Sequence, residues 1–335
     1  MKLLAYFTAF LLVGLASTAP TSKEDDTDTV TITSEFFPDE LAIYTAEHEI
    51  VKLLVPLNAL NFEDDSDSTE DDSDSEGATL FFVLADTVEG KRVDKGLYIR
   101  EKGVVTKLLD NGRDASATND ETKTAYFAAK DGIYSYNAKE KKAEKYGTVT
   151  DNLISIAKEN GSDIIYVLTE DYIIYKVTEE GTKKEKIENA VNAQNIVLDY
   201  ENNLYYNTVD NKVYVYNGDG VKQIQGLPEE VTYLAILKPP FVIDNGIPVI
   251  VNDKSYIAYQ NGTVEDGEFI MQVKPSAYAM EATLIQYYAY NKKIYQYNVI
   301  TLLLGTVLNE MKNFFDGKTD AINEIATRSR SDLRA

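Results

Sequence analysis

A pair of short strands that recurs about every forty residues constrains the fold of this chain more than any other feature. Each copy has an apolar-aromatic strand, a polar turn and a second strand marked by Ile-Tyr or a close variant, as in Ala125-Tyr126-Phe127 followed by Ile133-Tyr134. The markers stand 36 to 43 residues apart, at Tyr98, Tyr134, Tyr175, Tyr214, Ile257 and Tyr295. This period, without a helical pattern, predicts an all-β, six-bladed propeller with four-stranded blades. A solenoid is the weaker alternative, because solenoid repeats are usually shorter or helical.

The N-terminus has the pattern of a secretory signal peptide, so we expect a secreted, extracellular protein. Lys2 is followed by an apolar run from Leu3 to Leu15 and then by small residues as far as Ala19. Apolar residues between 307 and 315 recur at helical spacing. The predicted segments are a signal peptide (1–19), a polar leader (20–40), the propeller (41–305) and a C-terminal helix and tail (306–335).

Two strand-like segments near the N-terminus bear on how the ring closes. Residues 41–44 and 49–54 resemble the third and fourth strands of a blade that lacks its first two. This half-blade is predicted to supply the missing outer strand of the sixth blade, which would remove an exposed sheet edge. Residues 302–307 are the alternative for that outer strand, and the sequence leaves both open.

Acidic residues dominate the charge, with 55 Asp and Glu against 33 Lys and Arg and a net charge of −22. Nucleic acid and anionic membranes are not expected as partners, since both repel an anion that lacks a basic face. Nine of the acids lie in residues 63–76, which otherwise contain only Ser and Thr. This run predicts a solvated, disordered insert in the first blade. Its alternative roles are cation binding, phosphorylation at Ser68 or Ser73, and capture of a protein partner.

The chain contains no cysteine, which excludes disulfides, thiolate metal sites and cysteine nucleophiles. An exported protein without disulfides has to be held together by packing alone, and this favours a large closed ring. Two sequons, at Asn160 and Asn261, predict N-glycosylation in surface turns.

Residues with a recognisable catalytic pattern are scarce. The single histidine, His48, precedes a strand that we assign to the outer part of a blade, and we interpret it as a surface residue. With one histidine and no cysteine, a Ser/His/Asp or Cys/His triad is poorly supported, and the sequence has no phosphate-binding loop and no HExxH motif. We therefore expect a protein that is not an enzyme, with no catalytic residue, no bound metal and no cofactor.

Ligand contacts are predicted at one mouth of the central channel, from polar residues that precede the innermost strand of each blade. Arginine and lysine at such positions would hold a ligand carboxylate, and the amides would donate and accept hydrogen bonds. The six predicted ligand-binding residues are Asn58, Arg113, Asn152, Gln194, Glu230 and Lys274.

Residues 124–137 (TAYFAAKDGIYSYN) and Asn203-Leu204-Tyr205-Tyr206 resemble segments of lepidopteran ommochrome-binding proteins. The order of signal peptide, half-blade and strand pairs is similar as well, and the resemblance covers residues 41 to 260. The resemblance implies a secreted haemolymph protein that binds ommochromes, which are tryptophan-derived fused aromatics bearing carboxylates and amines. It transfers no binding residue to a position in this chain.

The leading hypothesis is a secreted, non-enzymatic propeller that binds a small aromatic ligand, with Tyr and Phe stacking on it and Arg113 or Lys274 holding its acid group. One alternative is an extracellular scaffold for protein–protein interactions. The other is a calcium-dependent lactonase or esterase, in which oxygen atoms would surround a channel ion. The candidate ligands of that ion are Asn58, Asn152, Asn195 and Glu230.

Overall fold

The computed structural model of the protein describes residues 30–56, 79–117, 124–240, 243, 245–280 and 285–298. Two strands precede the first complete blade, β1 (Val30–Ile32) and β2 (Ala42–Thr45), with 3₁₀ turns at Ser34–Phe36 and Asp39–Leu41 between them. Blade 1 contains β3 (Ile50–Leu54), β4 (Leu80–Val88), β5 (Lys91–Glu101) and β6 (Val104–Leu109). Blade 2 contains β7 (Gly112–Ala117), β8 (Ala125–Ala129), β9 (Gly132–Asn137) and β10 (Lys142–Lys145).

The remaining blades continue in chain order. Blade 3 contains β11 (Leu153–Lys158), β12 (Ile165–Thr169), β13 (Ile174–Thr178) and β14 (Lys183–Lys186). Blade 4 contains β15 (Ala193–Leu198), β16 (Leu204–Thr208), β17 (Val213–Asn217) and β18 (Gly220–Gln223). Blade 5 contains β19 (Leu234–Ile236), β20 (Gly246–Val251), β21 (Lys254–Tyr259) and β22 (Val264–Met271). Blade 6 contains β23 (Ala277–Met280), β24 (Ile285–Tyr290) and β25 (Lys293–Asn298), and takes its fourth strand from β2.

Six antiparallel blades, each with its first strand innermost, make the protein a β-propeller, which confirms the fold predicted from the repeat. The second strand of a blade is covered on both faces by neighbouring blades. For this reason every residue of β8, β12 and β16 is buried, whereas every residue of the outer strand β14 is exposed. Aromatic residues fill these spaces between blades, as Phe81 of blade 1 and Phe127 of blade 2 do at 5.3 Å between ring centroids.

The N-terminal segment closes the ring, as predicted, but the two strands do not form a half-blade. β2 pairs with β25 as the outer strand of blade 6, while β3 pairs with β4 as the innermost strand of blade 1. The interpretation of residues 41–44 and 49–54 as strands of one blade is therefore wrong. The short connection between them is a step from one blade to the next, of the kind that links β6 to β7. Residues 302–307 lie outside the described residues.

Part of the predicted polar leader is also built into the propeller. β1 runs parallel to β22 and adds a fifth strand to blade 5, with Thr31 opposite Ile270. Phe37 is buried, and its ring lies 4.8 Å from that of Tyr290 and 5.3 Å from that of Tyr295. The segment from β1 to β2 therefore ties blade 5 to blade 6.

Three predicted features lie outside the described residues: the signal peptide (1–19), the acidic insert (63–76) and the C-terminal helix and tail (306–335). In the part of the chain that the structure describes, no helix has the length and apolarity needed to cross a membrane.

Candidate functional site

A β-bulge recurs in the innermost strands of blades 1 to 4, and it sets the chemistry of the central channel. The bulged residues are Val51, Arg113, Ile154 and Gln194, each of which interrupts the pairing with the second strand. The residue after each bulge is polar, and together these four residues form what we call the polar ring: Lys52, Asp114, Ser155 and Asn195. The strand register puts Ala235 and Ala277 at the corresponding positions of blades 5 and 6.

The side chains of the polar ring bind one another. Lys52 Nζ donates to Asn195 Oδ1 at 2.8 Å and lies 3.3 Å from Asp114 Oδ2. Ser155 Oγ donates to Asp114 Oδ2 at 2.5 Å and lies 3.2 Å from Asn195 Oδ1. Blades 1 and 4 are opposite one another in a ring of six, so the bond from Lys52 to Asn195 crosses the channel. The polar ring thus separates a front side, where the innermost strands begin, from a rear side, where they end.

On the front side, a cluster of charges surrounds Asp94, whose side chain is only 1% exposed. Its carboxylate lies 2.6 Å from Arg92 Nε, 2.9 Å from Arg113 Nε and 3.0 Å from Lys130 Nζ. Burial acts to raise the pKa of Asp94, but the hydrogen bonds from Arg92, Lys130 and Arg113 outweigh it and hold this pKa below its usual range. The cluster joins blade 1 to blade 2 through ionised groups.

Arg113 is the centre of this front cluster and is itself buried. Besides its contact with Asp94, it donates through Nη1 to Asn152 Oδ1 at 2.9 Å and lies 3.4 Å from Glu170 Oε1 through Nη2. The structure thus brings the predicted ligand residues Arg113 and Asn152 together. Each nitrogen of the guanidinium has a protein partner, so Arg113 links blades 1, 2 and 3.

The other predicted ligand residues do not join this cluster. Gln194 is exposed on the bulge of β15, and Glu230 is exposed and accepts from Asn252 Nδ2 through its main-chain oxygen at 2.9 Å. Lys274 Nζ lies 2.6 Å from Asp253 Oδ1 and 5.0 Å from the centre of the Tyr233 ring. Gln194 therefore faces solvent, and the contacts given for Glu230 and Lys274 are with residues of blade 5.

Two positions in blade 1 differ from the sequence interpretation. Asn58 does not precede the innermost strand, because that strand is β3 and ends at Leu54; Asn58 itself lies outside the described residues. His48 precedes this innermost strand and not an outer one, and its Nδ1 lies 2.8 Å from Asp86 Oδ2.

The two predicted glycosylation positions have different surroundings. Asn261 is exposed, and its Oδ1 accepts from the Thr263 amide at 3.0 Å and from the Thr263 hydroxyl at 2.7 Å. Asn160 is partly buried, and its main-chain amide donates to Asn202 Oδ1 at 2.8 Å. Attachment of a glycan at either position stays a prediction.

The rear side holds a residue that sequence reasoning missed, Lys238. It is half-buried and lies two residues after the end of β19. The amide of Leu237, between the strand and Lys238, donates to the Pro248 carbonyl at 3.0 Å. Among the described residues Lys238 makes no hydrogen bond and no ion pair. Burial lowers the pKa of its amine to about 8, although the nearby Asp114 carboxylate acts in the opposite direction. The available sequence signal was a lysine directly before two prolines at the end of a strand.

Tyrosines lie close to Lys238 on this side of the channel. Tyr200 donates its hydroxyl to the Pro239 carbonyl at 3.4 Å, and it lies near enough to Tyr278 on β23 to raise the pKa of that phenol. The Tyr278 ring packs against Tyr288 with 5.0 Å between centroids, and its hydroxyl donates to Met280 Sδ at 3.5 Å. Burial raises the pKa of both phenols, so both are neutral at physiological pH. We call Lys238, Tyr200 and Tyr278 the rear group.

A cleft of about 260 Å³ lies elsewhere, on the outer part of blades 3 and 4. It is lined by residues that include Lys186, Glu188 and Tyr216. The Lys186 and Glu188 side chains are 3.7 Å apart, so these opposite charges offset one another. The cleft is separate from the channel.

No cluster of three or more His, Asp or Glu side chains among the described residues is placed to hold a metal ion. Two of the proposed calcium ligands, Asn152 and Asn195, instead direct their side-chain oxygens at Arg113 and Lys52.

Comparison with known proteins gives no family. No family model and no curated protein matches the chain. Among solved structures, hydrazine synthase from Kuenenia stuttgartiensis matches 76% of this chain and 97% of its own, with 10% identity and a TM-score of 0.46. The extracellular domain of a B. thetaiotaomicron hybrid two-component system matches 64% of this chain, which spans 31% of that one, with 13% identity and a TM-score of 0.42. The propeller assignment rests on the strand topology.

Proposed function

We propose that the protein is a secreted, non-enzymatic binding protein for a small aromatic ligand that carries a carboxylate, of the kind represented by ommochrome pigments. The observation that carries the proposal is Lys238, a lysine amine on the rear side of the channel with no partner among the described residues. An ammonium without a carboxylate partner binds a ligand anion without first breaking an existing ion pair.

The aromatic part of the proposal rests on Tyr200 and Tyr278. Tyr200 offers a neutral aromatic ring next to the chain segment that carries Lys238, since its hydroxyl donates to the Pro239 carbonyl. The neutral Tyr278 phenol, which packs on Tyr288, does not repel an anionic ligand. A site that combines one charged anchor with aromatic walls is typical of small-molecule recognition. The rear group therefore replaces Arg113 and Lys274 as the proposed anchor of the ligand, because the structure gives both of those cations protein partners.

The arrangement of the polar ring favours binding over calcium-dependent catalysis. A channel ion would need the oxygens of residues such as Asn195 and Asp114. The Lys52 ammonium binds both of these oxygens, and its positive charge repels a divalent cation at that position.

An absorbance and fluorescence titration of the purified full-length chain tests the proposed function. The probes are an ommochrome pigment, 1-naphthoate and the neutral analogue 1-naphthol. We expect both acids to bind and Lys238→Met to weaken them about 10- to 100-fold, because a hydrogen bond to a charged group contributes about 1.5–3 kcal/mol. Binding of 1-naphthol should change less than threefold.

The matched control is Lys212→Met, which removes an exposed lysine in the turn between β16 and β17 that pairs with Asp210 at 3.2 Å. It should bind all three probes as the wild type does. If neither acid perturbs a spectrum, or if Lys238→Met binds 1-naphthoate as tightly as the control, the proposal is wrong.

A further inference from the structure

We propose that Lys238 is also a covalent capture site, which forms a reversible imine with small aromatic aldehydes that enter the rear side of the channel. The inference rests on the proposed function for the location of the site. It concerns covalent bond formation by the Lys238 amine, whereas the proposed function concerns ion pairing of the same amine with a carboxylate. It extends the ligand class from aromatic acids to aromatic carbonyl compounds.

The first support is that the Lys238 amine is available. In the part of the chain that the structure describes, the other channel lysines have partners: Lys52 binds Asn195 and Asp114, Lys130 binds Asp94, and Lys274 binds Asp253. An ion-paired ammonium has to lose its partner and its proton before it attacks a carbonyl. Lys238, which pairs with none of the described residues, has only the proton to lose.

The second support is that the backbone at Lys238 is held in place. Pro239 restricts the residue before it to extended conformations, and the Pro239 carbonyl accepts a hydrogen bond from Tyr200. Together with the hydrogen bond from Leu237 to Pro248, these constraints fix where the side chain leaves the chain. Because Lys238 is half-buried, a small molecule can reach it while the surrounding protein limits its hydration.

The reaction balances without an oxidant or a reductant. The neutral amine forms a bond to the carbonyl carbon, and the aldehyde oxygen takes up a proton to give a carbinolamine. Loss of that oxygen as one water molecule forms the carbon–nitrogen double bond, and addition of water reverses the step. Burial supports this chemistry, because a pKa of about 8 leaves roughly a tenth of the amine neutral at pH 7, about two orders of magnitude more than an ordinary lysine.

The surrounding charges determine how acid and aldehyde ligands affect one another. Asp114, from blade 2, is the carboxylate that acts on Lys238, and it favours the protonated amine. A bound aromatic acid adds a second negative charge and raises the protonated fraction further. Aromatic acids are therefore expected to protect Lys238 from aldehydes both by occupying the site and by holding the proton.

Reductive trapping tests the inference on the full-length chain. The protein is treated with benzaldehyde and sodium cyanoborohydride at pH 7, and the modified lysines are located by peptide mass spectrometry. We expect Lys238 to be labelled at least tenfold faster than Lys142 and Lys183, whose pKa values are raised by hydrogen bonds with neighbouring glutamates. Propanal, which has no ring, should label Lys238 more slowly than benzaldehyde does.

Lys238→Arg keeps the positive charge but cannot form the imine, and should lose the fast label while it retains 1-naphthoate binding. If Lys238 and Lys142 are labelled equally, the covalent inference is wrong, while binding of 1-naphthoate would still support the proposed function. If Lys238 is labelled fast but no acid binds, the proposed function is wrong and the covalent inference is supported. Addition of 1-naphthoate should slow the labelling of Lys238 in the wild type, and unchanged labelling at saturating acid would contradict a shared site.

Discussion

On the front side of the channel, Arg113 gives its donors to Asp94, Asn152 and Glu170, whereas on the rear side Lys238 has no partner among the described residues. Both side chains are cations on or near innermost strands; Arg113 is buried and Lys238 is half-buried. The difference is in the partners, because protein groups satisfy the front charges, whereas no group in the described part of the chain pairs with the rear charge. Buried ion pairs of the first kind hold blades together, and a charge of the second kind is available to a ligand.

The largest effect on the free energy of unfolding is expected when the Asp94 carboxylate on the front side is removed. Asp94→Asn leaves the Arg113 guanidinium buried without its carboxylate, and breaking a buried pair in this way costs about 3–5 kcal/mol. We expect the free energy of unfolding, measured with urea, to fall by this amount. Asp110→Asn is the control, since Asp110 is exposed and pairs only with Lys107, so its loss should be within about 0.5 kcal/mol. A small effect at Asp94 would mean that the front cluster does not stabilise the ring.

A smaller effect of opposite sign is expected on the rear side. Lys238 has a pKa of about 8 in the folded chain and 10.5 when unperturbed, so the folded state at pH 7 carries a proton against the effect of burial. Lys238→Met removes this penalty and should raise the free energy of unfolding at pH 7 by about 1–2 kcal/mol, after allowance for solvent.

The pH dependence makes this second prediction specific. Between pH 8 and 10.5 the unfolded chain binds a proton at Lys238 that the folded chain has lost, so wild-type stability from this group rises with pH. The advantage of Lys238→Met should therefore shrink across this window and vanish above it. Lys212→Met should show no such trend, and a constant advantage for Lys238→Met would mean that the amine is not perturbed.

The contrast between the two sides also shows what the sequence could predict. The repeat of strand and turn, with tyrosines at fixed positions, depends on local pattern and predicted the propeller correctly. The same pattern could not separate β2 from β3, because a step between blades and a turn within a blade are both short polar connections. Of the residues expected to precede an innermost strand, Asn152 does precede β11, whereas Arg113 and Gln194 lie within β7 and β15, at the bulges.

Pairing, in contrast, could not be predicted from the sequence. Asp94 and Glu170 lie 19 and 57 residues from Arg113, so only the folded ring shows that they satisfy it. Lys238 was missed for the related reason that the lack of a partner is a property of the three-dimensional surroundings. Its one local signal, two prolines after the lysine, has many other meanings.

The smallest expected effect concerns Lys274, a front-side cation that differs from Arg113 in its exposure. Its partner Asp253 is 66% exposed, so water and salt screen the pair, and the Tyr233 ring adds a weak cation–π contact. Lys274→Met should therefore lower the free energy of unfolding by about 0.5–1 kcal/mol, less at high salt, as measured by urea titration. It should also leave the affinity for 1-naphthoate within twofold of the wild type. A tenfold loss of affinity in this variant would indicate that the ligand binds on the front side. It would show that the exposed pair of Lys274 and Asp253 opens to bind a carboxylate as readily as the Lys238 amine does.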